Sequence, residues 1–175
     1  MPDRALDRPL DRPLDRPLDR PLDRIDARIL RLVQSGERRT VSELASAVGL
    51  SPSACHRRLR ALEADGTIAG WAARLDPAAL GYRIEAFVEI GLAAQSNEAL
   101  SAFEAAVAAT PEILECHLMS GHADYLIRVA AADPADYERI HRERLSRLPG
   151  VSRMVSSFCL RTIRPWRGYV VPEGR

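Results

Sequence analysis

The chain has 175 residues, of which 46% are hydrophobic, and its 25 basic residues, all arginine, nearly balance 24 acidic ones to give a formal net charge of +1. This length suits one larger domain or two small ones, and the balanced charge excludes a uniformly basic protein, so any basic surface must be local. Three dispersed cysteines without Cys/His ligand spacing argue against a disulfide framework or a zinc site, and the short apolar runs and the missing signal-peptide core indicate a soluble cytoplasmic protein without membrane contact.

The first residues are of low complexity. The tetrapeptide PLDR occurs four times in succession over residues 9–24, after a partial copy, ALDR. A proline at every fourth position removes one helical hydrogen-bond donor per turn, which predicts an extended, solvated arm over residues 1–21. Two interpretations of this arm stay open: a segment that touches DNA, and a repeat without a role.

Short helices are predicted after the arm. The first has an apolar face of helical period between a capping residue, Asp23, and a terminating glycine, Gly36. The second begins at Thr40 and Glu43, which have the spacing of a capping box, and ends at Gly49, which can adopt the left-handed conformation. Together with a third helix after this glycine turn, these helices predict a helix-turn-helix.

The third helix carries the basic surface. Ser51 is its predicted N-cap and Pro52 its first residue, and the helix is expected to stop at Gly66. Its buried stripe consists of Cys55, Leu59 and Leu62. The outer face combines small residues, which let a helix enter a major groove, with arginines, which bond guanine edges or phosphates. The residues predicted to contact DNA are Ser51, Ser53, Ala54, His56, Arg57, Arg58 and Arg60. A solvated basic helix in a small bundle is the competing interpretation.

The hydrophobic period changes after residue 67. An extended connector closed by Pro77 is followed by a strand with strict alternation, a helix, two strands joined by the polar loop SGHA, a second helix and a last strand. The order βαββαβ predicts a ferredoxin-like sheet with two helices on one face. The predicted strands are residues 82–92, 113–119, 124–130 and 151–163, and the predicted helices are residues 96–109 and 134–148. The predicted organisation is an arm (1–21), a helix-turn-helix domain (22–67), a hinge strand or linker (68–80), a ferredoxin-like domain (81–164) and a C-terminal tail (165–175).

From about residue 22 to residue 163 the chain resembles the Lrp/AsnC (feast/famine) transcriptional regulators. LDRIDARIL resembles their first helix, LSPSACHRRLRALEADGTIAGWAARLDPAALGY their recognition helix, wing and hinge strand, and ECHLMSGHADYLIRV and RLPGVSRMVSSFCL the core of their effector domain. The resemblance implies an α+β protein: a winged helix-turn-helix followed by a ferredoxin-like domain that dimerises and often assembles dimers into octamers. It implies double-stranded DNA as a partner, a small effector, usually an amino acid, and control of amino-acid metabolism, with no cofactor or metal.

The resemblance also implies an effector pocket between dimers, at the loop that joins the second and third strands. The residues carried over to that pocket are Met119, Ser120, Gly121, His122, Asp124 and Tyr125. A glycine loop exposes backbone N–H groups to a carboxylate, and Asp124 can accept a hydrogen bond from an ammonium group. The family pattern reads Gly-Asp-x-Asp, and here His122 stands in place of the first acid, which removes one negative charge from the ammonium site.

Two other classes of function compete with a DNA-binding regulator. An enzyme is one, because ferredoxin-like domains host catalysis and some relatives of the family decarboxylate sirohaem with histidines, for which His117, His122 and His141 are the candidates here. No nucleophile–base pair or metal spacing accompanies these histidines, so we expect no catalytic residue. The other class is an architectural protein that bends DNA through its oligomers without responding to an effector.

Overall fold

The computed structural model describes residues 22–174, so the arm predicted over residues 1–21 lies outside the described residues. The described chain divides into two compact units. The helical unit contains the residues up to 74 together with those from 165 onward, and the sheet unit contains residues 75–164. The C-terminal residues therefore belong with the helical unit, which the sequence did not indicate.

The helical unit consists of three helices whose ends agree with the predicted capping signals. Asp23 caps the first helix by accepting a hydrogen bond from the Asp26 N–H at 2.8 Å. Thr40 and Glu43 form both halves of the predicted capping box, and Gly49 ends the second helix in the left-handed conformation with φ of 74°. The helices are α1 (Arg24–Gln34), α2 (Val41–Val48) and α3 (Pro52–Ala64). The helix-turn-helix is confirmed.

The core of the helical unit contains one charged side chain. The predicted apolar stripe of α3 is confirmed, since its three members are at most 6% exposed. The sequence predicted an apolar face of α1 made of Ile25, Ile29, Leu32 and Val33. The buried face is rotated from it, because Asp26 and Ala27 are fully buried together with Ile29, while Ile25 is only partly buried. An ion pair between Asp26 and Arg58 of α3, at 2.9 Å, compensates the buried carboxylate.

The sheet unit has the predicted βαββαβ order. Its four strands are all antiparallel to their neighbours and lie in the order β2-β3-β1-β4. The elements are β1 (Ile84–Leu92), α4 (Asn97–Ala108), β2 (Ile113–Leu118), β3 (Tyr125–Ala131), α5 (Pro134–Glu143) and β4 (Val151–Phe158). None of the helices in the described part of the chain is long and apolar enough to cross a membrane.

Alternate residues of β1 build the core of the sheet unit. Ala86, Val88 and Ile90 are fully buried and pack in one cluster with Phe103 of α4 and Ile140 of α5. The strand's opposite face carries glutamates and the partly exposed Phe87, as the alternation predicted. Helix α5 is shorter than the predicted helix of residues 134–148, because a 3-10 turn at Leu145–Arg147 replaces its last part. Leu145 nevertheless remains buried.

The connector, residues 68–80, was predicted to be a hinge strand or a linker. It forms an irregular segment followed by a 3-10 turn at Ala78–Leu80, and no strand forms in it. A strand needs a neighbour that accepts and donates its ladder hydrogen bonds, and no described strand pairs with this segment. The last strand also ends earlier than predicted, at Phe158 instead of residue 163.

Candidate nucleic-acid interface and effector loop

The outer face of α3 presents most of the residues predicted to contact DNA. Arg57 and Arg60 lie one turn apart on this face, and the side chain of Arg60 is 71% exposed. Ala54 is half-buried and donates its N–H to the capping Ser51 Oγ at 3.3 Å. The other exposed candidates are Ser51, Ser53 and His56. These residues share one surface at and beyond a helix N-terminus, which suits a phosphate or a base edge. Their contact with DNA stays a prediction.

Arg58 has a different role from its neighbours. Its Nη1 lies 2.5 Å from Asp23 Oδ2 and 2.9 Å from Asp26 Oδ1, so its guanidinium joins α3 to the start of α1. Both hydrogen bonds raise the pKa of Arg58. Burial alone would raise the pKa of Asp23, but the Asp26 N–H and the Arg58 guanidinium together bring it below its ordinary value. The geometry therefore assigns Arg58 to the stability of the bundle instead of to the DNA-contacting face.

The sequence did not single out Glu63 and Trp71, which adjoin the basic face. Glu63 Oε1 accepts a hydrogen bond from the Trp71 indole at 2.9 Å, and its Oε2 lies 3.4 Å from Arg60 Nη1. One carboxylate thus connects the irregular segment after α3 to an arginine of the outer face. The signal for this contact in the sequence was the single aromatic residue of the connector.

We expect Glu63→Gln to strengthen DNA binding. The amide can still accept from Trp71, but it removes a negative charge that holds Arg60 and repels phosphate. The gain should be about 1 kcal/mol or less, because the pair is solvated. Fluorescence anisotropy on a labelled operator measures the change in affinity. The control is Glu138→Gln, the same substitution at an exposed glutamate of α5 that also pairs with an arginine. Weaker binding by Glu63→Gln than by the control protein would contradict this role.

The loop between β2 and β3 is exposed and closed at its base. The Met119 N–H donates to the Asp124 carbonyl at 2.8 Å, and the Asp124 N–H donates to the Ile90 carbonyl at 2.8 Å. His122 Nε2 lies 2.8 Å from Glu89 Oε2 of β1, so the histidine that replaces the expected acid is itself paired with an acid. The candidate effector residues Met119, Ser120, Gly121 and His122 are all exposed.

Asp124 anchors the loop to the end of β1. Its Oδ2 accepts the Leu92 N–H at 2.7 Å and its Oδ1 accepts from Gln95 Nε2 at 2.5 Å. Both carboxylate oxygens are therefore engaged before any ligand arrives, whereas the sequence interpretation used this carboxylate for an ammonium group.

Replacing Asp124 by alanine is expected to destabilise the sheet unit by about 1–3 kcal/mol, because the Leu92 N–H loses its acceptor. Urea denaturation measures the change, and Asp133→Ala, which removes the cap of α5, gives a cost for losing a capping carboxylate elsewhere in the same unit. A protein as stable as wild type would show that water replaces the carboxylate without loss.

Tyr125 lies in the core and not in the loop surface. Its side chain is 1% exposed, its hydroxyl donates to Glu104 Oε1 at 2.7 Å, and its ring lies 4.5 Å from that of Phe103. Burial, and then the hydrogen bond to Glu104, raise the pKa of the phenol. Tyr125 therefore anchors the end of the loop in the core. The strand alternation could have indicated this, because Tyr125 is the first residue of the buried face of β3.

The groups considered for catalysis have separate neighbours. His117 lies 3.5 Å from Glu115, His122 pairs with Glu89, and His141 lies on α5. Burial and then Glu104 raise the pKa of Cys116 to about 11, so this thiol is protonated at neutral pH and is a poor nucleophile. Within the described residues, no three His, Cys, Asp or Glu side chains are grouped closely enough to hold a metal ion.

A helix-turn-helix with a basic outer face, followed by a ferredoxin-like sheet unit, defines a two-part DNA-binding regulator. Residues 22–63 match the AsnC-type helix-turn-helix domain, and residues 85–168 match the Lrp/AsnC ligand binding domain. The chain belongs to the Lrp/AsnC family of transcriptional regulators, as the sequence resemblance indicated.

Individual relatives cover most of the chain. It is 48% identical over 116 residues to an uncharacterized HTH-type transcriptional regulator of Sinorhizobium fredii, covering 66% of this chain and 91% of the relative. It is 43% identical over 128 residues to the leucine-responsive regulatory protein of Salmonella typhimurium, covering 73% of this chain and 78% of the relative. The structure resembles that of a transcriptional regulator from Neisseria meningitidis in complex with L-methionine, with a TM-score of 0.77 and 34% identity. The likeness covers 82% of this chain and 93% of the Neisseria chain.

Proposed function

We propose that this regulator recognises specific sites on double-stranded DNA through the outer face of α3. The observation that carries the proposal is the exposure of Arg57 and Arg60 on the side opposite the buried stripe of that helix. Guanidinium groups in the major groove bond guanine edges or phosphates, and the Ser51-capped N-terminus of the helix suits a backbone phosphate. The paired Arg58 keeps the helix in place beneath them.

We further propose that an amino acid is the effector and that it binds at the loop of residues 119–124. The Neisseria relative in complex with L-methionine supports this ligand class. The exposed backbone around Ser120 and Gly121 suits a carboxylate. Since Asp124 is already engaged, Glu89 is the acid for the ammonium group, and His122 is the side chain that must yield to the ligand.

We infer that the protein works in the cytoplasm as a homodimer that assembles into an octamer, without a cofactor. Support for assembly comes from apolar side chains exposed on the sheet unit. Among these, Phe87 is 36%, Val155 40% and Leu118 64% exposed. Apolar area of this kind on strands is typical of surfaces that associate. An effector would then act through its difference in affinity between assembled and separated states.

Genome-wide mapping of bound sites, followed by binding to one mapped operator, tests this function. Bound sites next to genes of amino-acid metabolism or transport, and an affinity or light-scattering mass that changes with leucine or methionine, are expected. Glu89→Gln should lose the response and keep basal operator affinity. No site-specific binding would contradict the proposal for DNA, and binding without any amino-acid response would favour the architectural alternative.

A further inference from the structure

The C-terminal segment packs against the helical unit through one valine. Val171 is half-buried and packs against the helical core next to residues of α1, whereas its neighbour Val170 is 94% exposed. The groove beside this contact is lined by α1 and by residues 67–72. A change from exposed to packed between consecutive residues is typical of a chain seated in one register.

A polar clasp holds the same segment. Gln34 Nε2 donates to the Tyr169 carbonyl at 2.5 Å, and Gln34 Oε1 accepts the Tyr169 N–H at 3.0 Å. One side-chain amide thus satisfies both backbone groups of one residue, as a neighbouring strand would. Gly168 allows this approach, since its φ is 94° and any side chain there would overlap Gln34. Arg31 adds a hydrogen bond to the Pro172 carbonyl at 3.4 Å.

The end of the segment reaches the ion pair that holds the recognition helix. Gly174 lies so close to Asp23 that a Cβ on it would overlap the Asp23 backbone. Asp23 is the cap of α1 and also bonds Arg58, which stands between the exposed Arg57 and Arg60 on α3. The tail is therefore connected to the exposed arginines of α3 through Asp23 and its ion pair with Arg58.

We propose that the groove formed by α1 and residues 67–72 is a docking surface for the chain's own C-terminal segment, residues 165–174, and that docking sets the position of α3. The proposal rests on the proposed role of α3 in DNA binding. It assigns a regulatory contact to residues 165–174.

The positions of both tryptophans allow a direct test. The chain contains two, Trp71, which lines the groove, and Trp166, which lies in the tail. In a full-length Trp166→Phe background, Val171→Asn is expected to shift the emission of Trp71 to longer wavelength and to speed tryptic cleavage after Arg167. It should also weaken operator binding roughly 2- to 30-fold, the range for mutations that act through a coupled contact. Val170→Asn, one residue away and exposed, should match the background protein.

A second variant distinguishes a failure of the docking proposal from a failure of the proposed DNA binding. Gln34→Ala removes the clasp without placing a polar group in the core and should change emission and cleavage in the same direction. Val171→Asn and Gln34→Ala proteins that match Val170→Asn in emission and cleavage overturn the docking. If emission and cleavage show that the tail is released in these variants but operator affinity is unchanged, docking does not influence α3. If the background protein binds no operator, the proposed function fails, while emission and cleavage still decide the docking.

Discussion

An Arg57→Ala/Arg60→Ala protein is expected to bind its operator more weakly by about 1–3 kcal/mol for each lost base or phosphate contact. Both side chains lie on the exposed side of α3, opposite its buried stripe, so their loss removes contacts to DNA without opening the core. Fluorescence anisotropy at several salt concentrations measures the loss. A flatter salt dependence would identify phosphate contacts among those removed.

The control for this double variant is Arg142→Ala, which removes a similarly exposed arginine from α5 of the sheet unit. Thermal unfolding should be unchanged in both proteins, since neither loses buried surface. Wild-type operator affinity in the double variant would remove α3 from the proposed interface.

Arg58→Met is expected to lower the free energy of unfolding of the helical unit by about 3 kcal/mol, near the lower end for breaking a buried ion pair because Arg58 is partly exposed. Methionine keeps most of the side-chain volume but leaves the carboxylate of Asp26, which is fully buried, without its arginine. Urea denaturation followed by far-UV circular dichroism measures the loss, because the helical unit contributes α1, α2 and α3 to the signal.

The adjacent residue provides the matched control. Arg57→Met makes the same chemical change on the exposed side of the helix, so it should lose operator affinity and keep its stability, while Arg58→Met should lose stability. Equal unfolding free energies for Arg58→Met and Arg57→Met would show that the ion pair contributes nothing net.

The stability difference between wild type and Arg58→Met should depend on pH. The folded-state pKa of Asp23 lies below the ordinary pKa of an aspartate, so its contribution to stability is fully present above that ordinary value and is lost as the pH falls through the folded pKa. The advantage of the wild type should therefore be constant near neutral pH and shrink in the acid range. An advantage that grew on acidification would contradict a pairing between carboxylate and guanidinium.

Capped helix ends and strand faces were predictable from the sequence because they depend on neighbouring residues. The capping box of Thr40 and Glu43 closes over three positions, and the left-handed Gly49 needs only the absence of a side chain. The alternation that buries Val88 and Ile90 follows from the period of a strand. Residues that repeat with these periods share one face of their element in any fold that buries that face.

Side-chain partners far apart in the chain were decided by tertiary structure alone. The helical period places Arg58 beside the buried stripe and Arg57 opposite it, but only the packing of α3 on α1 brings Arg58 to carboxylates 32 and 35 residues away. The same holds for Asp124, because only the fold brings its carboxylate to the end of β1, where it accepts hydrogen bonds from the Leu92 N–H and from Gln95. The position of the C-terminal segment also depends on tertiary structure, because Gln34, whose amide bonds the Tyr169 backbone, lies 135 residues earlier in the chain and Val171 packs against the core of the three helices. Local periodicity thus determined the elements, and the packing of one element on another determined which charges remain available for DNA or effector.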